Sequence, residues 1–548
     1  MNRLRYILLV LLVVACDMSQ AQDAARNYYW VAFIDKNGTP HSVLAPETYL
    51  SQRAIARRQR QQIQIDETDL PVSPVYLSGL KNLGAEIIHS SKWLNGATIR
   101  ATADLAGEIS RLEFIRELQL TKPALTPKSA KDKFAREQIS DLNVGIDTSY
   151  YGPSVYQIGQ LSGQFLHNQN INGQGLHIAV LDAGFFRADE LPAFLTLWNE
   201  GRVLGFRDFV SPGTNIFAEN QHGMNVLSIM AGDLPGSLIG SAPGASYYLF
   251  RTEDSASEYL IEEDNWAFAA EYADSLGVDV INSSLGYTEF DDAGMNHSYT
   301  DMNGETTRVT RAANLAVKKG MLVFSSAGNE ADGPWRYLSA PADGDLVLGV
   351  GAVDRNGIWA PFSSLGLAAD GLVKPNVAAL GWGTVLQRND GTVGLGSGTS
   401  FSSPVMAGMA ACLWQSNPLA TAQEIKQALE ESASQYTRPD NLLGYGIPDM
   451  ELADRLLKRK HGVEQLSWVA VPNPLQTSVY LYKLDGPPET DVLVRIYRTN
   501  GSLVYEKVFP AASPVFIPNL SNLPGGLYIA SLRYGSHSAH VKLMVAGQ

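Results

Sequence analysis

The chain has 548 residues, 42 Lys and Arg against 56 Asp and Glu, and a formal charge of −14. That length exceeds one ordinary domain of about 100 to 200 residues, and the acidic balance excludes a broad nucleic-acid face, which has to neutralise phosphates. With only Cys16 and Cys412 there is no disulfide framework, so an exported form has to be held by its core.

The chain opens with Arg3 and Arg5, runs through an apolar block from Ile7 to Ala15, and reaches small and polar residues. This is the pattern of a secretory signal, too short to span a bilayer. Two cleavage points fit it. Ser19-Gln20-Ala21 has the small-x-small form of a signal peptidase site, whereas Val13-Val14-Ala15-Cys16 has the form of a lipobox with Cys16 lipidated. The polar exit at Gln20-Ala21-Gln22 favours the first, giving a signal peptide over 1–21. No other stretch is apolar and long enough to span a bilayer.

Residues 22–125 are expected to form a small α+β domain, with strands in "YYWVAFID" and "GATIRATAD" and a helix in "PETYLSQRAIARRQRQQ". Arg53, Arg57, Arg58 and Arg60 recur at helical spacing, which predicts a solvated helix face. Residues 126–144 are Lys-rich, polar and begin at a proline-punctuated stretch, so an exposed linker open to cutting is expected there.

From 145 to 458 apolar strands ("LHIAVLDAG", "SYYLFRT", "VDVINSSLG", "MLVFSSAGN", "LVLGVGAVD") alternate with helical segments ("NVLSIMAG", "EEDNWAFAAEYADSLG", "TRVTRAANLAVKKG", "SPVMAGMAACLWQ"). Fully apolar strands between helices predict an α/β fold with a doubly wound, mostly parallel sheet covered on both faces. Ligands of such sheets bind beyond the carboxyl ends of the strands. Residues 465–548 turn to alternating runs such as "SVYLYKL" and "VLVRIYRT" between Gly, Asn and Pro turns, the pattern of an antiparallel β-sandwich.

The candidate chemistry starts from the nine histidines. A serine nucleophile needs a general base, and His is the usual one. His41, His89, His461, His537 and His540 fall where surface polar residues belong. His177 alternates with Asp182 along one strand, so the two point to opposite faces. His222 differs: it follows a polar loop, opens an apolar helix, and has Gly223 beside it. Asp182 closes a strand, where a half-buried carboxylate needs a donor such as an imidazole N–H; a helix-capping role is the alternative. Ser400 leads into "FSSPVMAGMAACLW", where Pro404 suits a first helical turn. A hydroxyl entering a helix N-terminus meets free N–H groups that favour an oxyanion. The neighbouring Ser402 and Ser403 are expected to satisfy free N–H groups of that turn. Cys412, in an Ala-rich helix, is expected to be a buried structural thiol.

Asp182 in "AVLDAGF", His222 in "HGMNV", Asn329 in "VFSSAGNEAD" and Ser400 in "GTSFSSP" resemble, in order and context, the subtilisin-like serine proteases. "GSAPGA", "VINSSLG", "VGAVD" and "FSSLG" extend the likeness over nearly all of 145–455. The resemblance implies a subtilisin-like fold and a secreted serine endopeptidase acting on polypeptides through an acyl-enzyme. In it His222 takes the proton of Ser400, Asp182 orients the imidazole, and Asn329 with the Ser400 N–H binds the oxyanion. It also implies that Ser284-Leu285-Gly286 pairs with the substrate backbone and that Ala327-Gly328-Asn329 lines the primary specificity pocket. Ala183, Met224 and Leu380 depart from the usual Ser or Thr, Thr, and Pro. The first two remove hydroxyls near the Asp and His.

The first domain, through "YWVAFIDKNG" and "SKWLNGATIR", is similar to the prodomains of secreted Bacteroidetes subtilases, which act as chaperone and inhibitor until cut off. The tail, with "VPNP", "IYRTNGSLVYE" and "NLPGGLYIASL", resembles a type IX secretion sorting domain, which implies the type IX secretion machinery as a partner and passage through a Gram-negative periplasm to the cell surface or medium. A carbohydrate-binding or spacer domain is the alternative for the tail, and an inactive cell-surface binding protein on a subtilase scaffold the alternative for the whole. The chemistry implies no cofactor. Structural calcium is common in such proteases, but Asp301, Asn303 and Glu305 in "YTDMNGETT" lack a full ligand series, so an Asx turn is expected and no metal residue is assigned.

Overall fold

Apolar runs with no polar alternation have two faces to bury, and here they form one sheet of seven strands. In spatial order these are Val377–Leu380, Leu348–Val353, Leu322–Ser326, Val280–Ser283, His177–Asp182, Ser246–Arg251 and Val203–Asp208. Every pairing is parallel. This computed structural model describes residues 25–124, 133–134, 137–141, 150–463, 467–475, 477–484 and 486–546. The expected signal peptide and most of the expected linker lie outside the described residues.

The chain divides into two compact units, one of residues up to Pro40 with Pro71–Lys128, the other of His41–Leu70 with Ser129–Gln548. The first holds a four-stranded antiparallel sheet in the order Glu86–Ser91, Gly96–Ala101, Asn27–Phe33, Ile115–Lys122. Helices Pro74–Asn82 and Ala103–Ile109 belong to the same unit, and Val31, Phe33, Leu80, Ile99 and Ile109 share its core.

In the second unit, helix Thr399–Ser416 is buried along its whole length. Its Ala and Gly residues let it approach the sheet closely, and Phe401, Val405, Met406 and Leu413 join Ile178, Val180, Val280 and Phe324 in one core. Burying side chains of this size is worth about 1.5–3 kcal/mol each. The helix begins at Thr399, so Pro404 sits inside it and not in its first turn. Proline has no N–H for the carbonyl four residues back; that carbonyl, of Ser400, instead accepts from Ser284 Oγ at 2.8 Å. Ser402 and Ser403 do not accept from free N–H groups as expected. Their hydroxyls donate, to Thr399 O at 3.0 Å and to Asn282 Oδ1 at 2.9 Å.

The arginine helix, Gln52–Arg60, also corrects the expectation of a solvated face. Arg57 and Arg58 are each 1% exposed. Both pair with Asp274 on helix Ile261–Leu276; Arg58 also reaches Asp69 at 2.7 Å, and Asp69 accepts from Lys319 Nζ at 2.9 Å. Charged residues at helical spacing reveal a charged face without revealing what it faces.

The last residues form two antiparallel sheets. One runs Trp468–Val471, Val479–Lys483, Val515–Ile517; the other Leu503–Phe509, Val492–Arg498, Gly526–Tyr534, His537–Val545. Val492, Val494 and Ile496 alternate inward to a shared core with Leu481, Ile517, Leu532 and Leu543.

Candidate active site

The chain leaves strand His177–Asp182, places the next two strands on one side of it, and then crosses to Val280–Ser283 on the other. This reversal opens a crevice at the carboxyl ends of those two strands. Asp182 ends one strand and Ser284 follows the other, so the topology puts both at the crevice.

Asp182 is fully buried. Its Oδ1 accepts from the Ala183 N–H at 2.7 Å and from His222 Nδ1 at 2.7 Å. Its Oδ2 has no hydrogen-bond partner among the described residues, and the side chain of Ala183 has nothing to offer it. Burial pushes the Asp182 carboxyl up, partly opposed by the imidazole. His222 opens helix His222–Ala231, its own N–H held by Asn220 Oδ1 at 2.8 Å. Gly223 follows for a steric reason: a Cβ there would come 2.4 Å from Gly184 O and 2.8 Å from Asp182 Cβ. Any side chain would push the helix off the aspartate.

Ser400 is the second residue of its helix and 4% exposed. Its Oγ donates to Ser284 O at 3.3 Å, and no hydrogen bond joins it to His222. The imidazole Nε2 lies instead 2.9 Å from Glu137 Oε2, a charge contact that misses hydrogen-bond alignment. Phe134 stacks on the same imidazole, centroids 4.1 Å apart and planes 16° from parallel. Burial opposes an imidazolium here, but the Asp182 and Glu137 carboxylates outweigh it and hold His222 well above its usual pKa.

Asn329 follows strand Leu322–Ser326. Its Oδ1 accepts from the Thr399 N–H at 2.8 Å and the Thr399 hydroxyl at 2.9 Å, which turns its amide NH₂ the other way, 3.4 Å from Glu137 Oε1. Thr399 Oγ1 also accepts from the Gly328 N–H at 3.1 Å. Sequence reasoning missed Thr399; the signal was its place beside the nucleophile candidate in "GTS". It missed Glu137 as well, which lies in a polar stretch with no local mark.

A cleft of about 140 Å³ runs past these groups, lined by Ser284, Leu285, Gly286, Gly328, Asn329 and Ser400 among others. Gly286 and Gly328 are small of necessity: a Cβ would meet Ser339 Oγ at 2.1 Å and Ser364 Oγ at 2.8 Å respectively. Ala327 precedes Gly328 and is fully buried, its N–H donating to Val350 O at 3.0 Å. Residues of the expected linker occupy the cleft: Lys133, Phe134 and Glu137 line it, and Gln138–Asp141 pairs antiparallel with Val393–Ser397, just ahead of Ser400. Those described residues are thus seated and not free in solvent.

Elsewhere the bland expectations hold. His177 is pushed down to about 3 by burial, with Arg53 adding to it, and Cys412 is fully buried, its Sγ donating to Ser241 O. In the Asp301 loop, Asp301 accepts from the Ser298 N–H and hydroxyl, and Asn303 Oδ1 from the Glu305 and Thr306 N–H groups. Those oxygens close a turn of the Asx kind expected there.

The chain matches the subtilase family over residues 173–446. It is 30% identical over 312 residues to subtilisin NAT of Bacillus subtilis subsp. natto, spanning 55% of this chain and 72% of that one. The chain belongs to the subtilase family. This subtilase is also 27% identical to the serine protease AprX of Bacillus subtilis (strain 168) over 52% of its own length and 67% of AprX. In fold it resembles fervidolysin from Fervidobacterium pennivorans, with a TM-score of 0.53 and 19% identity, covering 94% of this chain and 71% of that one. Residues 28–137 match the Peptidase S8 propeptide domain of Bacteroidota, and residues 470–546 a secretion system C-terminal sorting domain. The subtilase is therefore a serine endopeptidase with a propeptide, and a secreted or cell-surface protein. No helix among the described residues is long and apolar enough to cross a membrane.

Proposed function

We propose that this subtilase is made as a precursor and hydrolyses peptide bonds through Ser400, His222 and Asp182. His222 Nε2 takes the Ser400 Oγ proton as Oγ attacks the substrate carbonyl carbon. Asp182 holds the Nδ1–H and stabilises the imidazolium that forms. The Asn329 NH₂ and the Ser400 N–H receive the oxyanion; their worth lies in being oriented before charge develops. The imidazolium then gives its proton to the leaving amine, and water repeats the sequence to release the acyl group.

The observation that carries this reading is the placement of Glu137. A carboxylate spans His222 Nε2 and the Asn329 amide, the places where the transferred proton and the oxyanion go in the reaction. The groups are thus grouped around an anion. We divide the chain into a signal peptide over 1–21, a prodomain over 22–125, a linker over 126–144, a peptidase over 145–458 and a β-sandwich sorting domain over 465–548; the matches over 28–137, 173–446 and 470–546 support a propeptide, a peptidase and a sorting domain in that order, and the propeptide match runs on into the linker. In this reading the prodomain inhibits until cut away, the tail engages the type IX machinery, and polypeptides are the substrates. Ser284-Leu285-Gly286 pairs with the substrate backbone, and Gly328 and Asn329 border the specificity pocket. The chemistry takes no cofactor, and no residue is assigned to structural calcium.

An inactive binding protein on this scaffold is the poorer reading, because acid, base, nucleophile and oxyanion donors are all present. Ser400→Ala decides between them. We expect it to abolish both peptide hydrolysis and processing of the precursor, read as a single full-length band where the parent yields a shorter one. Processing at the parental rate by the variant would refute the assignment.

A further inference from the structure

Three carboxylates meet at one end of the cleft without a part in the reaction above. Glu253 follows strand Ser246–Arg251, Glu258 lies in the next loop, and Glu262 is in the first turn of helix Ile261–Leu276. One oxygen from each lies within 4.8 Å of the others. Glu253 and Glu262 are 1% and 2% exposed and Glu258 19%. Like charges this close and this buried repel and lose hydration, so the arrangement favours a cation among them or protons on them, and burial raises the Glu262 carboxyl accordingly.

The walls are fixed by the chain's own donors. The Tyr287 hydroxyl donates to Glu253 Oε1 at 2.5 Å, and the Asp254 N–H to Glu262 Oε1 at 2.7 Å. A cation is present, and it does not belong to the walls. Lys133 Nζ sits 2.8, 2.9 and 3.0 Å from Glu253, Glu258 and Glu262. An ammonium has three donors, one for each carboxylate. Lys133 lies near the end of the propeptide match; the next residue stacks on His222, and Glu137 closes the match against His222 and Asn329. Lys133 relates to the cleft as a substrate side chain does.

We propose that Glu253, Glu258 and Glu262 form a specificity subsite that selects a lysine or arginine side chain of the polypeptide substrate, filled in the precursor by Lys133. This rests on the peptidase reading above. A neutral side chain leaves three carboxylates facing one another; an acidic one adds a fourth. Even with Lys133 in place to oppose it, burial pushes the Glu258 carboxyl up to about 7, and the Glu253 charge adds to the shift. Tyr287 and the Asp254 and Tyr259 N–H groups also donate to these carboxylates, and none of them is a cation.

Two measurements test it. In the full-length Ser400→Ala precursor, which cannot process itself, Lys133→Met should raise amide hydrogen exchange over residues 133–141 about tenfold or more, while Lys133→Arg should retain protection. Equal protection in parent and Lys133→Met overturns the proposal. In the processed enzyme, quenched-fluorescent peptides differing only by lysine or norleucine at one scanned position should differ about tenfold or more in kcat/KM at that position, and Glu262→Gln should bring the ratio towards one. Cleavage at equal rates at every position overturns it. If no peptide is cut while Lys133→Met still frees the segment, the peptidase reading falls and the cation pocket stands.

Discussion

Glu137 and His222 form the pair on which the latent state turns. Both side chains are buried, at 6% and 3% exposed, and the imidazole's pKa is raised by the two carboxylates beside it. A raised base stabilises the pair fully below its ordinary value near 6.5, and that contribution is lost only as pH rises through the shifted value. The contact is therefore an ion pair at neutral pH and loosens on the alkaline side. Glu137→Gln in the Ser400→Ala precursor should lower the His222 pKa, followed by NMR through the Nδ1 proton; an unchanged titration would show that Asp182 alone sets it. The three residues proposed to react were noticeable in the sequence because each carries a local mark: a strand-ending Asp, a helix-opening His beside glycine, a Ser at a helix start. Glu137 carries none, since its meaning depends on a chain path that brings it to residues far along the sequence.

At the scale of elements, five of the seven strands of the parallel sheet were legible because burial on two faces leaves no polar alternation to confuse; the half-exposed edge strand Val203–Asp208 and the four-residue edge strand Val377–Leu380 were not. Helix Gln52–Arg60 was legible as a helix but not as a buried one. Its partner Asp274 is 216 residues from Arg58, beyond the reach of any periodicity. The start of helix Thr399–Ser416 was misplaced for a related reason: Pro404 marks a first turn by default, and only the Ser284 hydroxyl, from another strand's end, frees the helix to begin earlier. The buried charges give a direct expectation. Asp274→Ala leaves Arg57 and Arg58 short of a partner, and losing one side of such a pair costs about 3–5 kcal/mol. Denaturant unfolding of the Ser400→Ala precursor should show a loss of that order, whereas a change below about 1 kcal/mol would mean these arginines behave as surface charges.

Across the whole molecule, residues 41–70 and the described parts of 133–141 pack with the peptidase in one compact unit, although both lie inside or beside the propeptide match over 28–137. Sequence composition separates the regions by texture and misses this interleaving, because a segment's partner is not written in its own residues. The arrangement fits a precursor whose proposed catalytic set is kept covered: Phe134 and Glu137 rest on His222, and Lys133 sits among the three glutamates. In the proposed precursor Ser400 is the nucleophile, and the segment carrying Phe134 and Glu137 withholds it. Reaction with a fluorophosphonate, read by peptide mass, tests both at once. The full-length precursor trapped before processing should stay unlabelled, and the processed chain should carry the adduct on Ser400. Labelling of the intact precursor at the same rate, or a processed chain with no adduct on Ser400, would contradict it.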